Sequence, residues 1–130
     1  MTKNEHINYW ISISKKDWQR AELLFKNTDS VFALFCAHLC LEKLCKARWV
    51  RDHKDNHPPR IHNLVSILEQ TNFQFTEEEG KFINLLNRYQ LEGRYPDYHQ
   101  SIYRFTNFVF TKQMLQQAKE FKECLLKKLS

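Results

Sequence analysis

The stretch VFALFCAHLCLEKLCKARWV, Val31–Val50, decides the fold. Its first half is apolar at nearly every position, so a helix wound from it has no face to give to water. Such a helix is packed on several sides and stands at the centre of a domain. His38 and Glu42 lie four apart inside it. Because buried polar groups need partners, they are expected to hydrogen-bond to each other near the core.

Outward from this helix the chain repeats the same kind of element. His6–Asn27 sets Trp10, Ile13 (with Ile11/Ser14), Asp17/Trp18, Ala21, Leu24 and Phe25 at spacings of three and four, an amphipathic helix. NTDS, Asn27–Ser30, stops it and offers Asp29 or Ser30 as the next cap. RDHKDNHPPRIHN, Arg51–Asn63, ends the central helix at two prolines. A short helix is expected over Asn63–Gln70, with His62 or Asn63 as its cap. TEEE, Thr76–Glu79, reads as a capping box that opens a fourth helix running to Tyr89 or Leu91. The last helix is expected over Thr111–Leu129, with Met114, Leu115, Ala118, Phe121 and Leu125 on one face. With only two glycines and three prolines in 130 residues, a sandwich of short strands has too few turn residues to form. The expected fold is therefore all-α, an up-and-down bundle of four to five helices forming a single domain over residues 1–130.

The charge is +5 and uneven. Lys43–Arg60 carries six cations against two aspartates, while Glu77–Asp97 carries five carboxylates against three cations. A basic domain of this kind suits polyanions such as nucleotide or nucleic acid. The four cysteines, Cys36, Cys40, Cys45 and Cys124, read as reduced, buried hydrophobes. The start, MTKNEHINYW, has no apolar leader, and Val31–Leu41 is too short to cross a bilayer. The expectation is a soluble, cytoplasmic protein with no membrane contact.

The chemistry-bearing residues concentrate in GRYPDYHQSIYRF, Gly93–Phe105. Arg94 offers a planar fork for phosphate oxygens, and His99 offers a group that moves protons near neutral pH. Together they suit cleavage of RNA without a metal, His99 exchanging the proton and Arg94 holding the charge that develops on phosphorus. His53, His57 and His62 have spacings that zinc would tolerate, but they fall across a Pro-Pro kink, and no metal or cofactor is expected. Trp10, Trp18, Phe105, Phe108 and Phe110 exceed what one buried face needs, which predicts a covered face and hence a homodimer.

Four landmarks in order, YWISISKKDWQRAELLF, ALFCAHLCLEKLCKA, PPRIHNLVSIL and GRYPDY, resemble the HEPN domain (higher eukaryotes and prokaryotes nucleotide-binding) over nearly the whole chain. The residues that carry the resemblance are Glu42, Lys43 and Lys46, His62 with Asn63 and Leu64, and Arg94–Pro96. It implies a helical bundle that dimerises and associates with nucleotide or RNA. It also implies a small nucleotidyltransferase as partner, often as a toxin–antitoxin pair. Many members of the family it resembles are metal-independent ribonucleases with four to six residues between an arginine and a histidine, and Arg94 and His99 meet the shortest version of that spacing. Tyr95 follows Arg94, and Ser101 stands two after His99, so the RYPDY form resembles a separate branch. On that branch the domain is expected to be a binding module using Arg94, Tyr95, Lys43 and Lys46. The ribonuclease using Arg94 and His99 is the alternative. A purely structural bundle, with Glu42 and Lys46 as a helix salt bridge, is the third reading.

Overall fold

The computed structural model describes residues 1–92 and 101–129. Those residues form seven helices and no strand. They are α1 (Lys3–Lys26), α2 (Ser30–Asp52), α3 (Leu64–Glu69), α4 (Glu77–Leu86), α5 (Arg88–Glu92), α6 (Ser101–Phe105) and α7 (Phe108–Lys127). The all-α bundle read from the sequence is the observed class.

α2 is the axis of the molecule. Sixteen of its 23 residues are buried, as expected for a helix with no polar face, and α1, α3, α5 and α7 all pack on it. α1 lays Ser14, Asp17 and Ala21 against it, one residue per turn at helical spacing. The turn between α1 and α2 is a Schellman motif. Thr28 N–H donates to Phe25 O (3.0 Å) and Asp29 N–H to Leu24 O (2.9 Å). The residue at the left-handed position is Thr28, with φ of 61°. Asp29 caps α2, its carboxylate accepting from Phe32 N–H. At the far end of the hairpin the Lys3 ammonium donates to Val50 O (2.8 Å), His53 O (2.6 Å) and Asn56 Oδ1 (2.8 Å). It thereby satisfies carbonyls that the end of α2 would leave open.

The remaining helices cover the other sides of α2. Asn63 caps α3, which buries Leu64, Ile67 and Leu68. The box at Thr76 and Glu79 is formed in both directions. α4 stops earlier than its periodicity suggests. Asn87 breaks the helix at Leu86, and the chain restarts as α5. Tyr89 on α5 is fully buried, and its hydroxyl meets Thr106 Oγ1 at 2.7 Å, tying α5 to the entry of α7. α7 also begins earlier than expected, because Asn107 caps it by accepting from Phe110 N–H at 2.9 Å. α7 lays Met114, Leu115, Ala118, Phe121 and Leu125 on the core. None of the helices is long and apolar enough to cross a membrane among the described residues.

Candidate functional site

A carboxylate buried in a helical bundle must be paired, because an isolated charge out of water is costly. Glu42 on α2 is 5% exposed. Its first partner comes from outside the helix. His62, just before α3, places Nδ1 at 3.1 Å from both carboxylate oxygens. A nitrogen facing two acceptors carries the hydrogen, so the other ring nitrogen, Nε2, is the one directed away from Glu42, on a side chain that is 45% exposed. The second partner is Lys46 Nζ, 3.1 Å from Oε2 and one turn along α2. Its ammonium also lies 5.8 Å from the centre of the Trp10 ring.

One turn the other way stands His38, fully buried. The sequence predicts a His38–Glu42 hydrogen bond, and here the structure differs. His38 Nδ1 is 3.8 Å from Glu42 Oε1, beyond hydrogen-bonding range, and has no partner among the described residues. The bond goes instead to Asn87, whose Oδ1 lies 3.0 Å from His38 Nε2. Asn87 Oδ1 also accepts from the Leu64 N–H (3.0 Å), so it is an acceptor, and Nε2 of His38 must be the protonated nitrogen. Asn87 Nδ2 then donates to Asn63 Oδ1 (3.1 Å). Asn87 thus breaks α4 and uses the freed side chain to join α2, α3 and α5. Burial pushes the His38 imidazole below its ordinary 6.5, against the opposing pull of the Asn87 bond and the Glu42 charge. The ring is held neutral, with a bare Nδ1 facing the carboxylate.

The other cations of α2 are also matched. Asp17 on α1, 1% exposed, takes Lys43 through Oδ2 and Arg20 at 3.1 Å through Oδ1. Asp52 receives Arg48 at 2.8 Å, Arg51 at 3.2 Å and the backbone N–H of Asn72 at 2.8 Å. Burial works to raise the Asp52 carboxyl. The hydrogen bonds from Arg48 and Asn72, with the charges of Arg48 and Arg51, outweigh it and hold the group below its usual value.

The sequence-derived site residues fall as follows. Lys43 and Lys46 lie three apart on α2 but turn to different carboxylates, Asp17 and Glu42. Arg94, Tyr95 and His99 lie outside the described residues. The three histidines of the proline loop are separated. His53 stacks on Trp49 at 3.8 Å, His57 meets His6 edge-on at 5.6 Å, and His62 holds Glu42. The described residues contain no group of side chains placed to hold a metal ion.

The fold and this centre define a class: an all-α bundle whose central helix buries a carboxylate gripped by a histidine from the loop that follows. A family model for the HEPN domain matches residues 7–129, and the chain belongs to that family. No curated protein and no solved structure matches it.

Proposed function

We propose that the domain is a nucleotide- or nucleic-acid-associated binding module of the RYPDY branch. In this reading it acts as a dimer beside a small nucleotidyltransferase, and Arg94 and Tyr95 make the phosphate contacts. Membership of the HEPN family supports association with nucleotide. The observation that carries the reading is the polar rim above Glu42. There the half-exposed His62 ring is held by the buried Glu42 carboxylate, and the neighbouring Asn63 and Asn87 amides hold each other. Groups held this way are preorganised for a polar ligand. The rim includes Asn87, which directly precedes α5, and Gly93 and Arg94 follow α5 in the chain. Since Lys43 and Lys46 are already compensated by Asp17 and Glu42, the reading gives the phosphate to Arg94 and leaves the two lysines as a supporting field.

Thermal unfolding with increasing ATP, GTP or NAD tests it. A nucleotide that binds the folded chain raises Tm with concentration. Arg94→Ala should abolish the rise and His62→Ala should reduce it. No rise with any of the three sinks the reading.

A second reading, metal-independent ribonuclease, rests on the Arg94–His99 spacing. It requires cleavage of RNA in the presence of a chelator, and loss of that cleavage in His99→Ala. Cleavage that persists in this variant excludes it.

A further inference from the structure

A different face of the molecule carries a second site. α1 and α7 run antiparallel along one flank of α2. Phe25, at the end of α1, stacks on Phe108, at the start of α7, with centroids 5.0 Å apart, while Lys122 lies over Trp18 at 4.9 Å. Between these two cross-links the helices leave an open groove of about 580 Å³. Its floor is Trp18, Leu23, Phe25 and Leu115, and Leu23 is 60% exposed. Phe108 and Val109, 58% and 63% exposed, extend the apolar surface at one end. Three lysines, Lys26, Lys112 and Lys119, line it against one acid, Glu22, and none of the three pairs with a carboxylate among the described residues.

We infer that this groove docks an acidic amphipathic helix of another protein, which lays a stripe of three large apolar side chains along the floor while its carboxylates meet the three lysines. Three observations select this occupant. The spacing from Trp18 to Phe25 and from Lys112 to Lys119 is seven residues on each wall, about two helical turns or roughly 10 Å, which matches an apolar i, i+4, i+7 stripe laid along the groove. The unpaired lysines supply a charge that only an acidic partner answers. One face of Trp18 is taken by Lys122 and one face of Phe25 by Phe108, which favours apolar side-chain contact over the stacking of successive single-stranded bases.

The test uses the full chain and a designed peptide of about four helical turns. The peptide has leucines at i, i+4 and i+7 and glutamates flanking them, and a twin has every glutamate replaced by lysine. Titration calorimetry and amide chemical-shift mapping should show the acidic peptide binding at Trp18, Leu23 and Leu115. The twin should bind about tenfold more weakly or not at all. Lys26→Glu/Lys112→Glu/Lys119→Glu, a change confined to exposed side chains, should reverse that preference at unchanged Tm. Leu23→Ser should weaken both peptides. Failure of the acidic peptide to bind, or equal binding of the twins, overturns the assignment. So does an oligouridylate that shifts the same amides while the peptide does not. Amide shifts of Trp18, Leu23 and Leu115 that move with protein concentration alone, as cover by a second copy requires, also overturn it.

Discussion

His62 holds Glu42 by both carboxylate oxygens through a single ring nitrogen, 3.1 Å from each. His62 is nearly half exposed, whereas the carboxylate it holds is 7% exposed. The two sides of this pair therefore differ in what their loss costs. Removing His62 leaves Glu42 with Lys46, and water reaches the vacated place, so His62→Ala should cost about 1 kcal/mol. Removing Glu42 leaves Lys46 buried without its counter-charge. Glu42→Ala should cost about 3 kcal/mol. Urea unfolding of both variants measures the difference. The double variant Glu42→Leu/Lys46→Met should recover much of the loss, and a double variant no better than Glu42→Ala would refute the burial argument.

His38 makes stability depend on pH. Its folded-state value is pushed below the ordinary 6.5, so between the two values the unfolded chain binds more protons than the folded one. Stability then rises with pH across that window. The contribution is complete above 6.5 and is lost as pH falls through the folded value. Glu42 and His62 are the titratable groups that face it, and Asp52 titrates well below this window. His38→Gln, which keeps a donor toward Asn87, should flatten the dependence of Tm on pH just below 6.5. An unchanged slope would assign the effect to another group.

Thr28 occupies a left-handed backbone position with a β-branched side chain, φ 61°. Glycine takes this conformation freely, and the motif's two hydrogen bonds are made by the backbone alone. Thr28→Gly should therefore stabilise the protein by about 1 kcal/mol, against the usual trend for glycine. A lower Tm in this variant would show that the threonine hydroxyl, bonded to Asn27 O, matters more than the strain.

Three cysteines on α2 should be silent in the folded state. Burial pushes the Cys40 thiol up to about 12 and raises Cys36 and Cys45 as well. Because the thiolate is the reacting species, a disulfide reagent should label Cys124, the one partly exposed cysteine, and reach the other three only on unfolding. Mass spectrometry after brief labelling checks this, and rapid labelling of Cys40 would contradict it.

Much of the fold was legible because its signals are local. The all-round apolar run makes α2 central whatever surrounds it, and Asp29, Asn63 and the Thr76–Glu79 box mark helix starts by chemistry confined to one turn. The end of α4 was not legible, because Asn87 ends that helix with a side chain committed to His38, Leu64 and Asn63, which lie 49, 23 and 24 residues away in sequence. The polar centre was half legible. The i, i+4 spacing of His38 and Glu42 is visible in the sequence, but the partner that takes the carboxylate lies 20 residues on, across the proline loop. Asp17 carried a signal that could have been used. It is an acid in the same stripe as Ser14 and Ala21, and an acid on a buried stripe implies a cation opposite, here Lys43.

The hairpin of α1 and α2 is pinned at three places: the Schellman turn at Thr28, the Asp17–Lys43 pair along its length, and the Lys3 ammonium at its open end. Apart from Asp17, the buried stripe of α1 is made of small residues, Ser14 and Ala21, whose smooth surfaces would let one helix slide on the other. A slip of one turn, about 5.4 Å, would break the Asp17–Lys43 pair and the Lys3 clamp together and strain the turn. The buried charges therefore serve as a register lock, fixing which turn of α1 faces which turn of α2 where apolar packing alone would leave several alignments close in energy.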